Sequence, residues 1–291
     1  NLDKNQIYPA GKFLIESLDN YSHQILKSIN FKLSSKNTCI GTCFAEEFSN
    51  YLKNKTNYKI FEQNRFNFQA NWGRVYTVKN MRQLVDYSFN ENYKIFTKEG
   101  MDGFFDPLRD YTCGSYSSEK ELVDKIKTHR NISKKILSES EFLFLTLGQT
   151  EGWIDKYENF LWGATPTKMI NFYENKSNYE LKNFTYDEIN DDLNYVIENL
   201  KKNNKALKII LTLSPVPSSA TFFKKNAILS SSEGKAKLRI AIKNVENNFE
   251  DVKYFPSFEN VIYDNKNYNS DNRHVKLKKI FQIFNFFDKY F

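Results

Sequence analysis

The sequence predicts an α/β protein: a three-layer α/β/α arrangement in which a parallel sheet of about five strands carries helices on both faces. Three observations predict it. Short apolar stretches alternate with longer segments whose apolar residues recur every three to four positions, the pattern of consecutive βαβ units. The clearest stretch, residues 141–148 (Glu-Phe-Leu-Phe-Leu-Thr-Leu-Gly), is apolar on both faces, as the centre of a parallel sheet requires. Each loop of unusual composition also follows a predicted strand: Gly41-Thr-Cys43, Asn71-Trp-Gly73, Gly148-Gln-Thr-Glu151, Ser214-Pro-Val-Pro217 and Pro256-Ser-Phe-Glu259. With right-handed crossovers these loops gather at the carboxyl edge of the sheet, where ligands bind.

Residues 1–37 are polar and mixed, with a helical stretch near 17–28; His23 reads there as a surface or cap residue. Residues 38–41 form the first strand. Gly41 permits a sharp turn, and Phe44, Phe48 and Leu52 at i, i+4, i+8 mark a helix to about residue 52. Cys43 falls at that helix's N-terminus, where converging N–H groups and the positive dipole end favour a thiolate and any oxyanion beside it. A buried structural cysteine is the other reading of the same turn. Residues 57–62 (Asn-Tyr-Lys-Ile-Phe-Glu) read as a second strand, and Gly73 as a turn whose backbone N–H can face a ligand.

Residues 79–90 and 117–137 have helical periodicity, with Leu122, Ile126, Ile132 and Ile136 in the second; with the loops between them they make a helical insertion at about 79–140. His129 is expected on the surface. Residues 153–185, aromatic and carrying Gly163 and Pro166, are expected as a lid or hairpin insertion. A helix at 187–203, a strand at 207–213, a helix at 224–249 with Leu238, Ile242 and Val245 in one stripe, a strand at 251–255 and a final apolar-aromatic helix complete a single domain over 1–291.

At 291 residues, 40% hydrophobic and 16% aromatic, the chain can bury a real core. Its net charge of +7 is spread, with local runs such as Lys201-Lys202 and Lys276-Leu-Lys-Lys279 that read as solvated faces; attraction to an anionic substrate or polymer is the weaker reading. No basic-aromatic motif points to nucleic acid. The three cysteines, Cys39, Cys43 and Cys113, have neither paired nor metal-ligand spacing, which suits a reducing compartment and makes a cytoplasmic location the expectation. No apolar run approaches the roughly 20 residues that span a bilayer, and no signal peptide opens the chain. The first residue is Asn, so the chain reads as an excised piece or one domain of a longer protein. Without a Gly-x-Gly-x-x-Gly or Gly-Lys-Ser loop, no nucleotide cofactor is expected, nor any other.

A thiol nucleophile needs a base, and the base an orienting group. Of the three histidines only His274 has a carboxylate at a short fixed spacing within a loop, Asp271-x-x-His274. Residues three apart in a turn face the same way, so Asp271 could hold the imidazole. Asp271 as a helix N-cap with His274 on the surface is the alternative.

Gly41-Thr-Cys-Phe-Ala45 resembles the signature of the GSCFA family, with Thr in place of its Ser. The resemblance continues in order through Asn71-x-Gly73, Leu147-Gly-x-x-Glu151-x-Trp153, Ser214-Pro-Val-Pro217, Lys235-x-x-Leu-Arg239, Tyr254-Phe-Pro-Ser-x-Glu259 and Asp271-x-x-His274, covering roughly residues 38–275. The family is similar to the SGNH, or GDSL-type, hydrolases. That likeness implies a flavodoxin-like fold and an acyl-ester activity, as O-acyltransferase or esterase, on an acylated saccharide or its acyl donor. It implies Cys43 as nucleophile, His274 as base and Asp271 as its orienting carboxylate. The oxyanion would lie on Cys43, Gly73 and Thr150, and substrate contacts on Thr42, Asn71, Gln149, Glu151, Trp153 and Glu259, with Glu151 and Glu259 equally readable as loop caps. Two departures matter. Cys for Ser makes the intermediate a thioester. Thr150 where the superfamily places Asn weakens the oxyanion hole, a donor worth roughly 3 kcal/mol, and favours the competing expectation of a non-catalytic carbohydrate-binding or scaffold domain.

Overall fold

The computed structural model describes residues 6–11, 13–53, 72–170 and 172–290. Helix α1 (Phe13–Ser28) leads to strand β1 (Asn37–Gly41) and helix α2 (Cys43–Lys53). Helix α3 (Val78–Phe89), the hairpin of β2 (Lys98–Gly100) and β3 (Gly103–Phe105), helix α4 (Glu119–Glu139) and strand β4 (Phe142–Leu147) follow. Strands β5 (Glu151–Asp155), β6 (Phe160–Leu161) and β7 (Tyr179–Asn183) precede helix α5 (Tyr186–Asn203) and strand β8 (Lys208–Leu213). Helix α6 (Ala227–Asn248), strand β9 (Val252–Tyr254), the short helix α7 (Glu259–Ile262) and helix α8 (Leu277–Asn285) close the chain. Several helices start where a short polar side chain takes over orphan N–H groups: Thr77 for α3, Ser118 for α4, and for α5 a full capping box between Thr185 and Glu188.

Strands β1, β4, β8 and β9 form a parallel sheet in that spatial order. The two-residue period of a strand divides the core. Leu143, Leu145 and Leu147 of β4 face a cluster with Leu84 of α3, Ile126 of α4, Leu193 of α5 and Leu238 of α6. Phe142 and Phe144, the alternate residues, face the opposite cluster with Leu26 of α1, Phe44 and Phe48 of α2, and Ile283 and Phe284 of α8. Helices therefore cover both faces of the sheet, a mixed α/β architecture of three layers.

The described residues give this sheet four strands where about five are expected; the predicted strand at 57–62, and Asn71 with it, lie outside the described residues. Beyond β1, the chain at Arg74 forms a single parallel bridge to Gly41, and the Val75 N–H donates to the Gly41 carbonyl at 2.8 Å. Part of the segment expected as a lid is a second sheet, antiparallel, in the order β6-β5-β7. It begins at Glu151, inside the predicted loop. Trp153 and Asp155 alternate inward there, and Gly152 leaves room for Leu161, whose Cδ1 would stand 2.8 Å from an added Cβ.

His129, expected on the surface, is buried at 4% exposure. It shares the inward stripe of α4 with Ile126 and Ser133, and two hydroxyls satisfy the ring: Tyr87 at 3.1 Å from Nδ1 and Ser133 at 3.3 Å from Nε2. His23 is half-buried against Phe286 and Tyr290, with Nδ1 2.5 Å from the Tyr290 hydroxyl. Among the described residues, no helix is long and apolar enough to cross a membrane.

Candidate active site

The turn after β1 is built from small parts. Gly41 has φ +143°, and an added Cβ would lie 2.3 Å from the Thr146 carbonyl of β4, so no side chain fits. Thr42 is buried; its hydroxyl accepts the Phe44 N–H at 3.3 Å and its carbonyl the Ala45 N–H at 2.9 Å. Its methyl occupies the space over Gly148, 2.4 Å from where a Cβ would be. Thr42 thus starts the helix and seals the turn; it does not line the cleft described below. Cys43 follows as the first residue of α2, partly exposed, at a position whose N–H has no intrahelical acceptor.

The expectation of a lowered thiol pKa at Cys43 is overturned. Burial pushes the thiol up, and that outweighs the lowering by the Arg74 and Arg273 charges and by the Phe44 N–H. Glu46 adds to the rise and also binds Arg74 at 2.7 Å, offsetting that cation.

Asp271 and His274 lie in a turn closed by an antiparallel bridge between Tyr268 and Val275 and by the Asn269 N–H donating to the His274 carbonyl at 2.8 Å. Asn272 takes the left-handed conformation at its tip (φ +53°). Helix α8 begins only at Leu277, so Asp271 is not a helix cap. Its Oδ2 is 2.5 Å from His274 Nδ1, and its Oδ1 accepts the N–H groups of Arg273 and His274 at 3.1 and 3.0 Å. The imidazole bond and these two N–H groups hold the carboxyl down at about 2. The turn is docked on the loop after β8: the Tyr268 hydroxyl donates to the Pro215 carbonyl at 3.0 Å and Arg273 Nε to the Pro217 carbonyl at 3.1 Å. Asp271 only accepts and a guanidinium only donates. His274 between them therefore carries its proton on Nδ1 and offers a bare Nε2, which takes Arg273 Nη1 at 3.0 Å. Among the described residues, His274 makes no hydrogen bond to Cys43.

Between the carboxyl-edge loops and the antiparallel sheet lies a cleft of about 320 Å³, its walls including Gln149, Glu151, Trp153, Trp162, Asn80 and Arg273. Three of the expected substrate contacts, Gln149, Glu151 and Trp153, meet here. Gln149 is fixed through its N–H to the Tyr76 carbonyl at 2.8 Å. Glu151 accepts the Thr221 and Ser230 hydroxyls at 2.8 and 2.5 Å, tying down the far rim. Trp153 and Trp162 are 5% and 3% exposed, and their indole N–H groups, like Asn80 Oδ1, find no hydrogen-bond partner among the described residues.

The remaining expected residues lie elsewhere. Thr150 donates its one hydroxyl proton to Asn183 Oδ1 at 3.0 Å and packs on Gly234. Glu259 accepts the Tyr254 hydroxyl at 2.6 Å and Arg239 Nε at 3.3 Å, a network under β9 outside the cleft. Gly73 holds φ +72° and backs onto Cys113, whose Sγ would stand 2.6 Å from an added Cβ.

Sequence reasoning gave no role to Arg273, Asn80, Trp162 or Lys235. Lys235, within the motif Lys235-x-x-Leu-Arg239, is buried at 6% exposure and donates to the Gly148 carbonyl at 2.8 Å, bracing the turn that opens the cleft. A lysine in the apolar stripe of a helix that also carries Leu238 and Ile242 was the available signal. Arg273 stood inside the Asp271-x-x-His274 motif, and only the fold shows where it points.

Comparison with known proteins gives a consistent placement. A search among curated proteins returns no match. The model of the GSCFA family matches residues 36–287, from just before β1 to past the end of α8, and so takes in the Cys43 turn, the cleft and the Asp271–His274 turn together. The chain belongs to the GSCFA family.

Proposed function

We propose that this chain is an acyl-ester enzyme of SGNH type, an O-acyltransferase or esterase acting on an acylated saccharide through a thioester intermediate. The observation that carries the reading is the Asp271–His274 pair, 2.5 Å apart, docked at the carboxyl edge of the sheet where the α2 N-terminus presents Cys43. The Arg273 charge acts on the Cys43 thiol from the same turn. Cys43 Sγ attacks the acyl carbon as His274 Nε2 takes the thiol proton. The oxyanion rests on backbone N–H groups at Cys43 and Gly73, with Thr150 joining only if its hydroxyl leaves Asn183. The C–O bond breaks, the alcohol leaves with the proton from His274, and the acyl group remains on sulfur. Water or an acceptor hydroxyl then attacks the thioester with His274 again as base, releasing acid or new ester and restoring the thiol. Asp271 keeps the proton on Nδ1 and steadies the imidazolium that forms. Oxygen-rich saccharides suit a cleft whose lining combines Trp153 and Trp162 with the polar residues Gln149, Asn80 and Thr77.

A second reading, a carbohydrate-binding or scaffold domain, is favoured by three specific observations: the raised thiol, the Thr150 proton committed to Asn183, and Nε2 engaged by Arg273. Aryl acetate turnover separates the two. The enzyme reading expects release of the phenol that is lost in Cys43→Ala and in His274→Ala; turnover absent from the native chain, or unchanged in Cys43→Ala, contradicts it.

A further inference from the structure

The contact between Arg273 and His274 is odd for a base. The lone pair that should accept the Cys43 proton is already taken by Arg273 Nη1 at 3.0 Å. The guanidinium is held there through Nε to the Pro217 carbonyl, and Arg273 forms part of the cleft wall. Among the described residues that line the cleft, the charged side chains are Glu151 and Arg273. Glu151 is engaged by the Thr221 and Ser230 hydroxyls, with Lys225 Nζ at 3.9 Å, so Arg273 is the positive group left to meet an incoming anion.

We propose that Arg273 is a carboxylate-responsive latch on His274: in the ligand-free chain it occupies Nε2, and a substrate bearing a carboxylate in the cleft draws the guanidinium away and frees that nitrogen. The inference rests on the acyl-ester reading for its consequence, but the latch is a property of the binding geometry. A planar carboxylate matches the guanidinium fork with two parallel charge-assisted bonds, stronger than the single bond to a neutral imidazole nitrogen. The forked pair uses Nη1, the atom now on His274. Nη1 carries two hydrogens, so Nε2 is freed as the guanidinium turns to align both Nη groups with the carboxylate, and Arg273 selects anionic over neutral esters without taking part in bond making. The carboxylate can sit on the acyl group or on the alcohol of the ester; both offer the same fork.

The test uses the full chain labelled with 15N-histidine. There are three histidines, and His274→Gln assigns the signal of interest. At fixed pH, Arg273→Met should move the Nε2 resonance toward that of an unbonded acceptor nitrogen, and succinate added to the native chain should move it the same way. Arg273→Lys, which keeps charge and length but not the fork, covers the case of a Met variant that fails to fold; it should show a weakened succinate response. Esterase arms identify where the carboxylate sits: 4-nitrophenyl acetate as the neutral reference, 4-nitrophenyl hemisuccinate with the charge on the acyl side, and 4-acetoxybenzoate with it on the leaving group. At least one anionic ester should be preferred about tenfold or more in kcat/KM, since tenfold corresponds to a single modest interaction. Arg273→Met should abolish that preference, read as the ratio of anionic to neutral kcat/KM within the same variant. A Nε2 signal unmoved by both Arg273→Met and succinate overturns the latch, whatever the esters do. A succinate-dependent Nε2 shift with no ester turned over supports the latch and counts against the enzyme reading alone.

Discussion

Replacing Lys235 by Met should change how stability depends on pH more than any other single substitution near the site. Lys235 is 6% exposed, and its Nζ donates to the Gly148 carbonyl at 2.8 Å. Burial lowers it from 10.5 to about 7, with Cys43 pulling weakly the other way. At about 1.4 kcal/mol per pH unit, that difference amounts to roughly 5 kcal/mol against the charged, folded form. The folded-state value lies below the unfolded one, so between about pH 7 and 10.5 the unfolded chain binds a proton that the folded chain does not. Stability from this residue is therefore complete above pH 10.5 and is lost as pH falls toward 7. Met keeps the length, carries no charge and forfeits one hydrogen bond of about 1 kcal/mol. Lys235→Met should thus be more stable than the native chain by a few kcal/mol at pH 7, less stable by about 1 kcal/mol near pH 10.5, and cross it between. Urea unfolding followed by tryptophan fluorescence at pH 7, 8, 9 and 10 measures this; groups common to both chains cancel in the difference. A stability difference that stays flat across these pH values would refute the desolvated amine.

Other consequences follow from the same geometry. Because burial raises the Cys43 thiol, its alkylation by iodoacetamide should be slow at pH 7 and climb only at a higher pH than that of an ordinary cysteine; rapid labelling at neutral pH counts against the burial argument. Gly41→Ala places a Cβ 2.3 Å from the Thr146 carbonyl at φ +143°, and should cost about 1–3 kcal/mol or more, read as a fall in thermal midpoint; an unchanged midpoint means β1 and β4 pack less closely than described. Asp271→Asn removes the acceptor that keeps the proton on His274 Nδ1 and should lower acyl turnover by about 10²-fold or more while leaving Cys43 alkylation close to native; equal loss of both would make Asp271 a structural residue.

Most of the architecture was legible because periodicity is a local signal. The largely apolar run of β4, the stripes of α4 and α6, and the Gly41 turn each state their environment within a few residues. What was missed depends on partners far away in sequence. Glu151–Asp155 reads as a loop until β6 and β7 pair with it. His129 looks like a polar surface residue between Lys127 and Arg130 until the Tyr87 hydroxyl, from α3, arrives at its ring. The site divides the same way. The short spacing in Asp271-x-x-His274 predicted a bond that needs only its own turn, and the turn makes it. The thiol's protonation did not follow from its place on α2, because the burial that raises it comes from the surrounding tertiary structure. Arg273 on Nε2 was equally invisible: its placement depends on Pro217 in another loop.

The central claim is that Cys43 carries the acyl group, and intact mass tests it most directly. The native chain, incubated with 4-nitrophenyl acetate and quenched in acid, should gain one acetyl mass. Peptide mapping should place it on Cys43, with no adduct in Cys43→Ala and little or none in His274→Ala, whose thiol has lost its base. No adduct on Cys43 under any quench time, or the same adduct level in Cys43→Ala, would contradict the thioester and leave the turn after β1 a structural element of the fold.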